Sequence, residues 1–157
     1  MNMHYLTYVH NLPLTLEAAW DFFSSPKNLK TLTPEYLDFQ ITSQGYEEKM
    51  YPGQIISYTV KPMLKIPITW VTEITHVERL HYFIDEQRFG PYKFWHHEHR
   101  FSPIPNGVQM VDKIYYTVPF GMLGKALNAM AIRRQIEGIF SYRKAKMSAL
   151  FGTYKHP

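Results

Sequence analysis

The sequence contains no cysteine among its 157 residues. This absence excludes a disulfide scaffold, thiolate metal sites and a cysteine nucleophile. The sequence also lacks any run near the roughly 20 apolar residues needed to cross a bilayer, so we expect no stable membrane insertion. Its first residues show no basic segment followed by an apolar one, which predicts no signal peptide and a cytoplasmic location.

Motifs for phosphate or dinucleotide binding are also absent, as are a serine nucleophile elbow and HExxH. We therefore expect no cofactor. The net charge is +4, and residues 121–157 hold seven Lys or Arg against one acid, Glu137. An anionic membrane or protein surface is one candidate partner for this basic segment. A solvated helix face is the commoner reason for such a pattern, and we expect no nucleic-acid partner.

What the sequence does contain is enough apolar material for a folded core. Hydrophobic residues make up 45% of the chain, including 10 Phe, 12 Tyr and 3 Trp. This length fits one domain, whereas two halves would each be short of core. No repeat or linker interrupts the chain, so we predict a single domain over residues 1–157.

Proline and glycine divide the chain into a clear order of elements. A strand is predicted at 3–11, then a short helix capped by Thr15, and a further helical turn at 27–32. Six strand-like segments follow, the last two joined by a turn containing Asn106-Gly107. They are placed at about 38–43, 54–61, 66–78, 80–89, 92–102 and 107–118.

Residues 120–151 form the longest helical pattern, with two apolar stripes about half a turn apart. The first comprises Leu123, Leu127, Met130 and Ala131; the second comprises Ile132, Ile136, Ile139, Phe140, Met147 and Leu150. Two stripes predict a bend near 128–132, followed by a long helix on the sheet. The fold class is therefore α+β, with a curved antiparallel sheet wrapped around a long C-terminal helix and two short helices after the first strand.

Polar residues at inward positions of the sheet are the sharpest signal. Alternation along the last three strands gives three sets that each share one face. They are Phe83, Asp85, Gln87 and Phe89; Trp95, His97, His99 and Phe101; and Val108, Met110, Asp112, Ile114, Tyr116 and Val118. Since buried carboxylates and imidazoles are costly unless paired, the inward polar groups are expected to hydrogen-bond one another or to contact a ligand.

At these residues the sequence resembles the SRPBCC (START-like, polyketide cyclase/dehydrase and lipid transport) superfamily, in a bacterial ligand-binding branch. Residues 85–101 resemble its D-x-Q-x-x-G-P-[YF]-x-x-W-x-H-x-H-x-F signature. Residues 112–124 resemble D-x-x-x-Y-x-x-P-x-G-x-x-G, and 139–143 resemble I-F-x-Y-R. The similarity spans about residues 4–151. It implies a helix-grip fold with a pocket between sheet and long helix, and says little about chemistry.

Two chemical roles for the histidines stay open beside ligand binding. His97 and His99 could ligate a metal, with Asp85 or Asp112 as a third ligand. Since nothing in the spacing identifies which residue would be the third ligand, no metal is expected. As a catalytic alternative, His97 or His99 beside Asp85 or Asp112 could move protons from a carbon acid, as polyketide cyclisation and dehydration require. Whether the protein is an enzyme is left open.

The predicted function is binding of a small apolar or amphipathic molecule in a cavity between the antiparallel sheet and the C-terminal helix. The alternative is a polyketide cyclase/dehydratase-type enzyme using an inner histidine as general acid/base. The residues predicted to contact the ligand are Asp85, Gln87, Trp95, His97, His99, Asp112 and Tyr116. The candidate catalytic residues are His97, His99 and Asp112.

Overall fold

The structure, a computed structural model, describes residues 3–46, 49–62, 65–119, 126 and 131–156. Its elements follow the order strand, short helix, six strands and long helix. The strands are β1 (His4–Leu12), β2 (Gln40–Ile41), β3 (Gln54–Val60), β4 (Ile68–Glu78), β5 (Tyr82–Phe89), β6 (Phe94–Ile104) and β7 (Gly107–Thr117). The α-helices are α1 (Leu16–Phe23) and α2 (Arg133–Phe151).

The seven strands form one antiparallel sheet in the order β1-β7-β6-β5-β4-β3-β2. β1 therefore joins the sheet beside the last strand, pairing His4 with Tyr116 and Leu12 with Val108. Strands β4 and β5 change register twice, between Val71 and Thr72 and between Ile74 and His76. Such bulges bend a sheet and increase its twist. The α+β, helix-grip arrangement predicted from the sequence is confirmed.

The helical segment after β1 is one α-helix followed by tighter turns. Thr15 caps α1 by accepting a hydrogen bond from the Ala18 amide at 3.1 Å. A 3-10 turn at Pro26–Asn28 stands where the second short helix was predicted, and another covers Glu35–Leu37. The predicted strand at 38–43 is reduced to two residues, since Asp38 ends that turn with a left-handed φ of 45°.

The hairpin between β6 and β7 uses its turn residues differently from the prediction. Ile104 pairs with Gly107, so Pro105 and Asn106 form the two-residue loop. Asn106 has the positive φ, 59°. Gly107 is needed for a different reason, because a Cβ there would lie 2.2 Å from the Leu12 carbonyl oxygen of β1.

Helix α2 crosses the concave face of the sheet and closes the core. Its buried side chains are Ile136, Phe140 and Met147, all from the second predicted stripe. Leu150 from that stripe is wrong as a core residue, because it is 46% exposed and Phe151 makes the contact with Phe22 instead. Except for Ala131, the first stripe lies outside the described residues, as does most of the predicted bend at 128–132.

Two contacts set the position of α2 over the sheet. The ring of Phe140 stacks on Tyr8 of β1, with centroids 4.2 Å apart and planes within 1° of parallel. At the other side of the sheet, the Gln135 side-chain amide donates to the Pro62 carbonyl oxygen after β3, at 2.6 Å. The helix therefore spans the concave face, and the space beneath it lies over the central strands.

Candidate functional site

Four charged or titratable side chains meet on the concave face, at the centre of the sheet. Asp85 lies on β5, His97 and His99 on β6, and Asp112 on β7. In the register of the sheet, Asp85 is opposite His97 and His99 is opposite Asp112. Since alternate residues of a strand share a face, this register brings all four to the same side.

Each histidine forms one hydrogen bond to a different carboxylate. His97 Nε2 donates to Asp112 Oδ1 at 2.8 Å, and His99 Nε2 donates to Asp85 Oδ2 at 2.8 Å. His97, His99 and Asp112 are 4%, 3% and 1% exposed. The four side chains thus form a buried, paired network rather than four isolated polar groups.

The second nitrogen of each imidazole also faces a carboxylate, but without hydrogen-bond geometry. His97 Nδ1 lies 3.4 Å from Asp85 Oδ2, and His99 Nδ1 lies 3.0 Å from Asp112 Oδ1. Among the described residues, His99 Nδ1 is buried without a hydrogen-bond partner. The two rings lie 3.8 Å apart between centroids, so each imidazole stands between both carboxylates.

A third histidine, His10 of β1, joins the network and was missed from the sequence. Its Nε2 lies 3.7 Å from Asp112 Oδ2, and the residue is 6% exposed. Alternation along β1 places His10 on the same face as the buried Leu6 and Leu12. That pattern was the signal that could have found it.

The two carboxylates are held in their charged forms. Burial alone would raise the pKa of Asp112, but the hydrogen bond from His97 and the close approach of His99 outweigh it and hold that pKa well below the usual range. The pKa of Asp85 is also lowered, since the nearby His97 and His99 outweigh the opposing effect of burial. Both groups are therefore carboxylates at neutral pH.

The pKa of one histidine in this network is raised and the pKa values of the other two are lowered. Burial lowers the pKa of His97, and the neighbouring His99 lowers it further. Burial also lowers the pKa of His10. For His99, burial also lowers the pKa, but its close contact with the Asp112 carboxylate and its hydrogen bond to Asp85 outweigh burial and raise the pKa overall. His99 is therefore the ring of the three that binds a proton most readily.

A cavity of about 170 Å³ lies between this network and α2. Most of its wall is apolar, from the turns after α1, from strands β3 to β6 and from α2. These apolar residues include Leu29, Leu32, Leu37, Phe39, Met50, Ile56, Val60, Ile74, Ile136 and Ile139. The titratable and charged lining residues are Asp85, His97, His99 and Arg143, and further polar atoms come from Thr33, Tyr58, Trp70, Thr72 and Tyr92.

Four of the seven predicted ligand contacts line this cavity, namely Asp85, Trp95, His97 and His99. Asp112 is in the layer behind the histidines and Tyr116 is fully buried, so neither belongs to the described lining.

Gln87 is the predicted contact that the structure places elsewhere. Its side-chain amide donates to the Tyr92 carbonyl oxygen at 2.7 Å and its Oε1 accepts from the Tyr92 amide at 3.2 Å. Gln87 therefore holds the β5–β6 turn, because that turn leaves the Tyr92 backbone groups for a side chain to satisfy. Its partner Tyr92 does line the cavity.

Sequence reasoning missed six lining residues with polar side-chain atoms: Thr33, Tyr58, Trp70, Thr72, Tyr92 and Arg143. The Arg143 guanidinium lies 5.1 Å from the centroid of the Phe140 ring, a cation–π contact. Trp70 Nε1 is buried with no hydrogen-bond partner in the described part of the chain. Arg143 belongs to the I-F-x-Y-R segment, so that motif was a signal, whereas nothing local to Trp70 marked it.

Comparison with solved structures shows that this architecture is a known one. Protein CV1439 from Chromobacterium violaceum superimposes with a TM-score of 0.72 at 11% identity, covering 96% of this chain and 99% of that one. Ara h 8.0201 gives a TM-score of 0.61 at 9% identity, covering 94% and 99%. Protein Ms6760 from Mycobacterium smegmatis gives 0.64 at 14% identity, covering 96% and 98%.

These likenesses define the class of fold, a helix grip in which an antiparallel sheet wraps around a C-terminal helix. At 9–14% identity they carry the fold alone. No protein-family model matches the sequence, and no curated protein matches it. Among the helices of the described residues, none is both long and apolar enough to cross a membrane.

Proposed function

We propose that this protein binds a small amphipathic molecule in the cavity between the sheet and α2. The observation that carries the proposal is a mostly apolar cavity wall that also contains the titratable side chains of Asp85, His97 and His99 and the guanidinium of Arg143. An apolar body would bury its surface against the larger part of the wall, and one polar group would meet these polar side chains. Membership of the SRPBCC superfamily, proposed from the motifs at 85–101, 112–124 and 139–143, is in keeping with this function.

The volume of the cavity sets the size of the ligand. A dry cavity of about 150 Å³ is enough for benzene. The cavity of about 170 Å³ therefore suits a single-ring molecule with a small polar substituent, or a short chain of similar size. Trp70 lines the cavity, and its Nε1 has no hydrogen-bond acceptor among the described residues. This donor would therefore favour a ligand with an oxygen acceptor.

Binding can be tested with two single-ring probes, 4-fluorophenol and fluorobenzene, followed by fluorine NMR on protein treated with EDTA. We expect both to bind, and 4-fluorophenol at least about tenfold more tightly, because its hydroxyl meets the polar wall. The substitution Ile139→Trp fills the cavity and should abolish binding. Leu150→Trp is the matched control, since Leu150 is exposed on the same helix.

Two results would overturn this proposal. One is the absence of binding by either probe to the folded wild-type protein, together with no small molecule retained on protein purified from its native host, as judged by native mass spectrometry. The other is equal binding by the wild type and a folded Ile139→Trp variant. If Ile139→Trp fails to fold, Thr33→Phe fills the same cavity from the opposite wall.

A specific observation favours a second candidate function, general acid–base catalysis on a carbon acid. With Nε2 donating to Asp112, a neutral His97 has its lone pair on Nδ1, in the wall of the cavity. A neutral imidazole aimed at a bound molecule can remove a proton from the carbon next to a carbonyl group. Asp112 would then orient the ring and stabilise the imidazolium.

Hydrogen–deuterium exchange of phenylacetone in heavy water, followed by proton NMR, tests this activity directly. We expect wild-type protein to accelerate exchange, His97→Ala to lose the acceleration, and His96→Ala to keep it, since His96 pairs with Glu86 outside the cavity wall. The rate should rise with pH as His97 loses its proton. Exchange at the background rate with wild-type protein, or equal rates for wild type and His97→Ala, would contradict the catalytic role.

A further inference from the structure

We infer that Asp85, His97 and His99 form a binding site for a divalent transition metal ion, with Asp112 behind them as a positioning carboxylate. The sequence left this possibility without a third ligand. In the structure, one ligand atom from each of these three residues lies within 4.8 Å of the other two. This inference does not rest on the proposed function, because it concerns the wall of the cavity and not its occupant.

The distances suit an ion held by two nitrogens and one oxygen. Asp85 Oδ2 lies 2.8 Å from His99 Nε2 and 3.4 Å from His97 Nδ1. Metal–nitrogen and metal–oxygen distances of about 2.1 Å allow ligand atoms up to about 4.2 Å apart. Both measured distances meet this limit, and the ligand atoms of the two histidines lie within 4.8 Å of each other.

An independent observation points to a cation at this place. His97 Nε2 donates to Asp112, so in a neutral ring the lone pair is on Nδ1. That nitrogen lies 3.4 Å from Asp85 Oδ2 without a hydrogen bond, so in the neutral ring a lone pair stands opposite a carboxylate oxygen. A cation between the two atoms would convert an unfavourable contact into two bonds.

Asp112 lies where a carboxylate commonly hydrogen-bonds the non-ligating nitrogen of a metal-bound histidine. It approaches the far nitrogen of both rings, at 2.8 Å from His97 Nε2 and 3.0 Å from His99 Nδ1. In metal sites such a carboxylate fixes the tautomer and orientation of the ring, and its removal weakens metal binding about 10–100-fold. Here a single carboxylate serves two histidines.

The ligand set restricts the kind of metal. Two imidazoles and one carboxylate suit Zn²⁺ and the neighbouring late first-row ions, and disfavour Mg²⁺ and Ca²⁺, which take oxygen ligands. Asp85, His97 and His99 all line the cavity, so further coordination positions face its interior. Binding at His99 Nε2 displaces the proton now donated to Asp85, so metal uptake should release one proton and strengthen as pH rises.

Co²⁺ is the probe for this site, because it substitutes for Zn²⁺ and gives visible absorption in low-symmetry nitrogen and oxygen sites. The experiment uses the full chain after EDTA treatment, with Co²⁺ titrated and Zn²⁺ added as competitor. We expect one Co²⁺ per chain, displacement by Zn²⁺, and loss of binding in His97→Ala and Asp85→Asn. Asp112→Asn should weaken binding about 10–100-fold.

The pair His96 and Glu86 provides a matched control, since it joins a histidine and a carboxylate at 2.7 Å from the same two strands. Binding should be unchanged in His96→Ala and Glu86→Gln. No Co²⁺ or Zn²⁺ binding by the wild type would overturn the inference, and so would binding that survives in folded His97→Ala or disappears in His96→Ala.

If the site variants do not fold, nitrogen NMR of the wild-type imidazoles decides the question. Added Zn²⁺ must move the signals of His97 Nδ1 and His99 Nε2 and leave His96 in place; any other pattern would overturn the site. Binding of the small molecule is measured in EDTA, without metal. A negative result for metal binding therefore does not contradict the proposed ligand binding, and the reverse also holds.

Discussion

The imidazole rings of His97 and His99 lie 3.8 Å apart and are held in opposite senses: Nε2 of His97 bonds to Asp112, whereas Nε2 of His99 bonds to Asp85. Two residues on one strand face would ordinarily present the same atoms to the same neighbour. Here the carboxylates stand on the strands at either side of β6, so each ring turns toward a different one. The opposed orientation leaves one nitrogen of His97 in the cavity wall.

The first prediction concerns how protons divide between these rings in metal-free protein. Imidazole NMR titration should show His99 still protonated at about pH 6.5, the value at which a free imidazole is half protonated, and His97 already neutral. The physical reason is that both carboxylates raise the pKa of His99, whereas burial and the His99 charge lower that of His97. Equal titration midpoints for His97 and His99 would show that the two environments are not different.

The second prediction concerns Asp112 and acid stability. Its folded-state pKa lies well below 3.8, so it contributes stability above the unfolded value and loses this contribution as pH falls through the folded value. Asp112→Asn should lower the free energy of unfolding by about 3–5 kcal/mol at pH 7, since it breaks a buried charge pair. The difference from wild type should shrink below about pH 4. Urea unfolding at several pH values measures it, and a constant difference from pH 7 to pH 3 would contradict the assignment.

The third prediction concerns the contact that fastens α2 to the edge of the sheet. Phe140→Ala removes a ring that stacks on Tyr8 at 4.2 Å and forms part of the cavity wall. We expect a loss of about 3–5 kcal/mol in the free energy of unfolding. Denaturant melts give this value directly. Ser141→Ala, at the exposed neighbouring position, should stay within about 0.5 kcal/mol of wild type, and a similar effect for the two variants would show that Phe140 is not a packing anchor.

The fourth prediction contrasts two glycines. Gly107→Ala places a methyl group 2.2 Å from the Leu12 carbonyl oxygen, so β1 must move away from β7, and we expect a loss of about 1–3 kcal/mol. Gly138→Ala in α2 meets no atom within 4 Å among the described residues and should stabilise the protein by up to about 1 kcal/mol. Thermal unfolding of both variants checks the pair. Equal shifts in Tm would contradict the close approach of β1 at Gly107.

Much of the site was predictable because strand alternation is a local property. Val108, Met110 and Ile114 mark the buried face of β7, and the same parity places Asp112 inside without knowledge of the fold. The same rule applied to His97 and His99, whose positions are confirmed as buried. It would also have found His10 had β1 been read in the same way.

Alternation gives the face of a side chain but not its hydrogen-bond partner. Gln87 has the inward parity of Asp85, yet the backbone of Tyr92 offers it a donor and an acceptor across the β5–β6 turn. Such a local satisfaction of polar groups is decided by turn geometry. The sequence did not identify a third metal ligand beside His97 and His99 for a related reason. The choice between Asp85 and Asp112 depends on which of the two lines the cavity, and alternation does not decide that.

By itself, the sequence determined the order of the elements and the faces on which the polar groups lie, since both follow from spacing along one chain. Only the tertiary structure decided that Asp85 lines the cavity while Asp112 stands behind the histidines, and that His10 and Arg143 join them from distant segments. The physical reason is that packing sets both the register between strands and the position of α2 on the sheet. No local pattern records which strand becomes the neighbour of another.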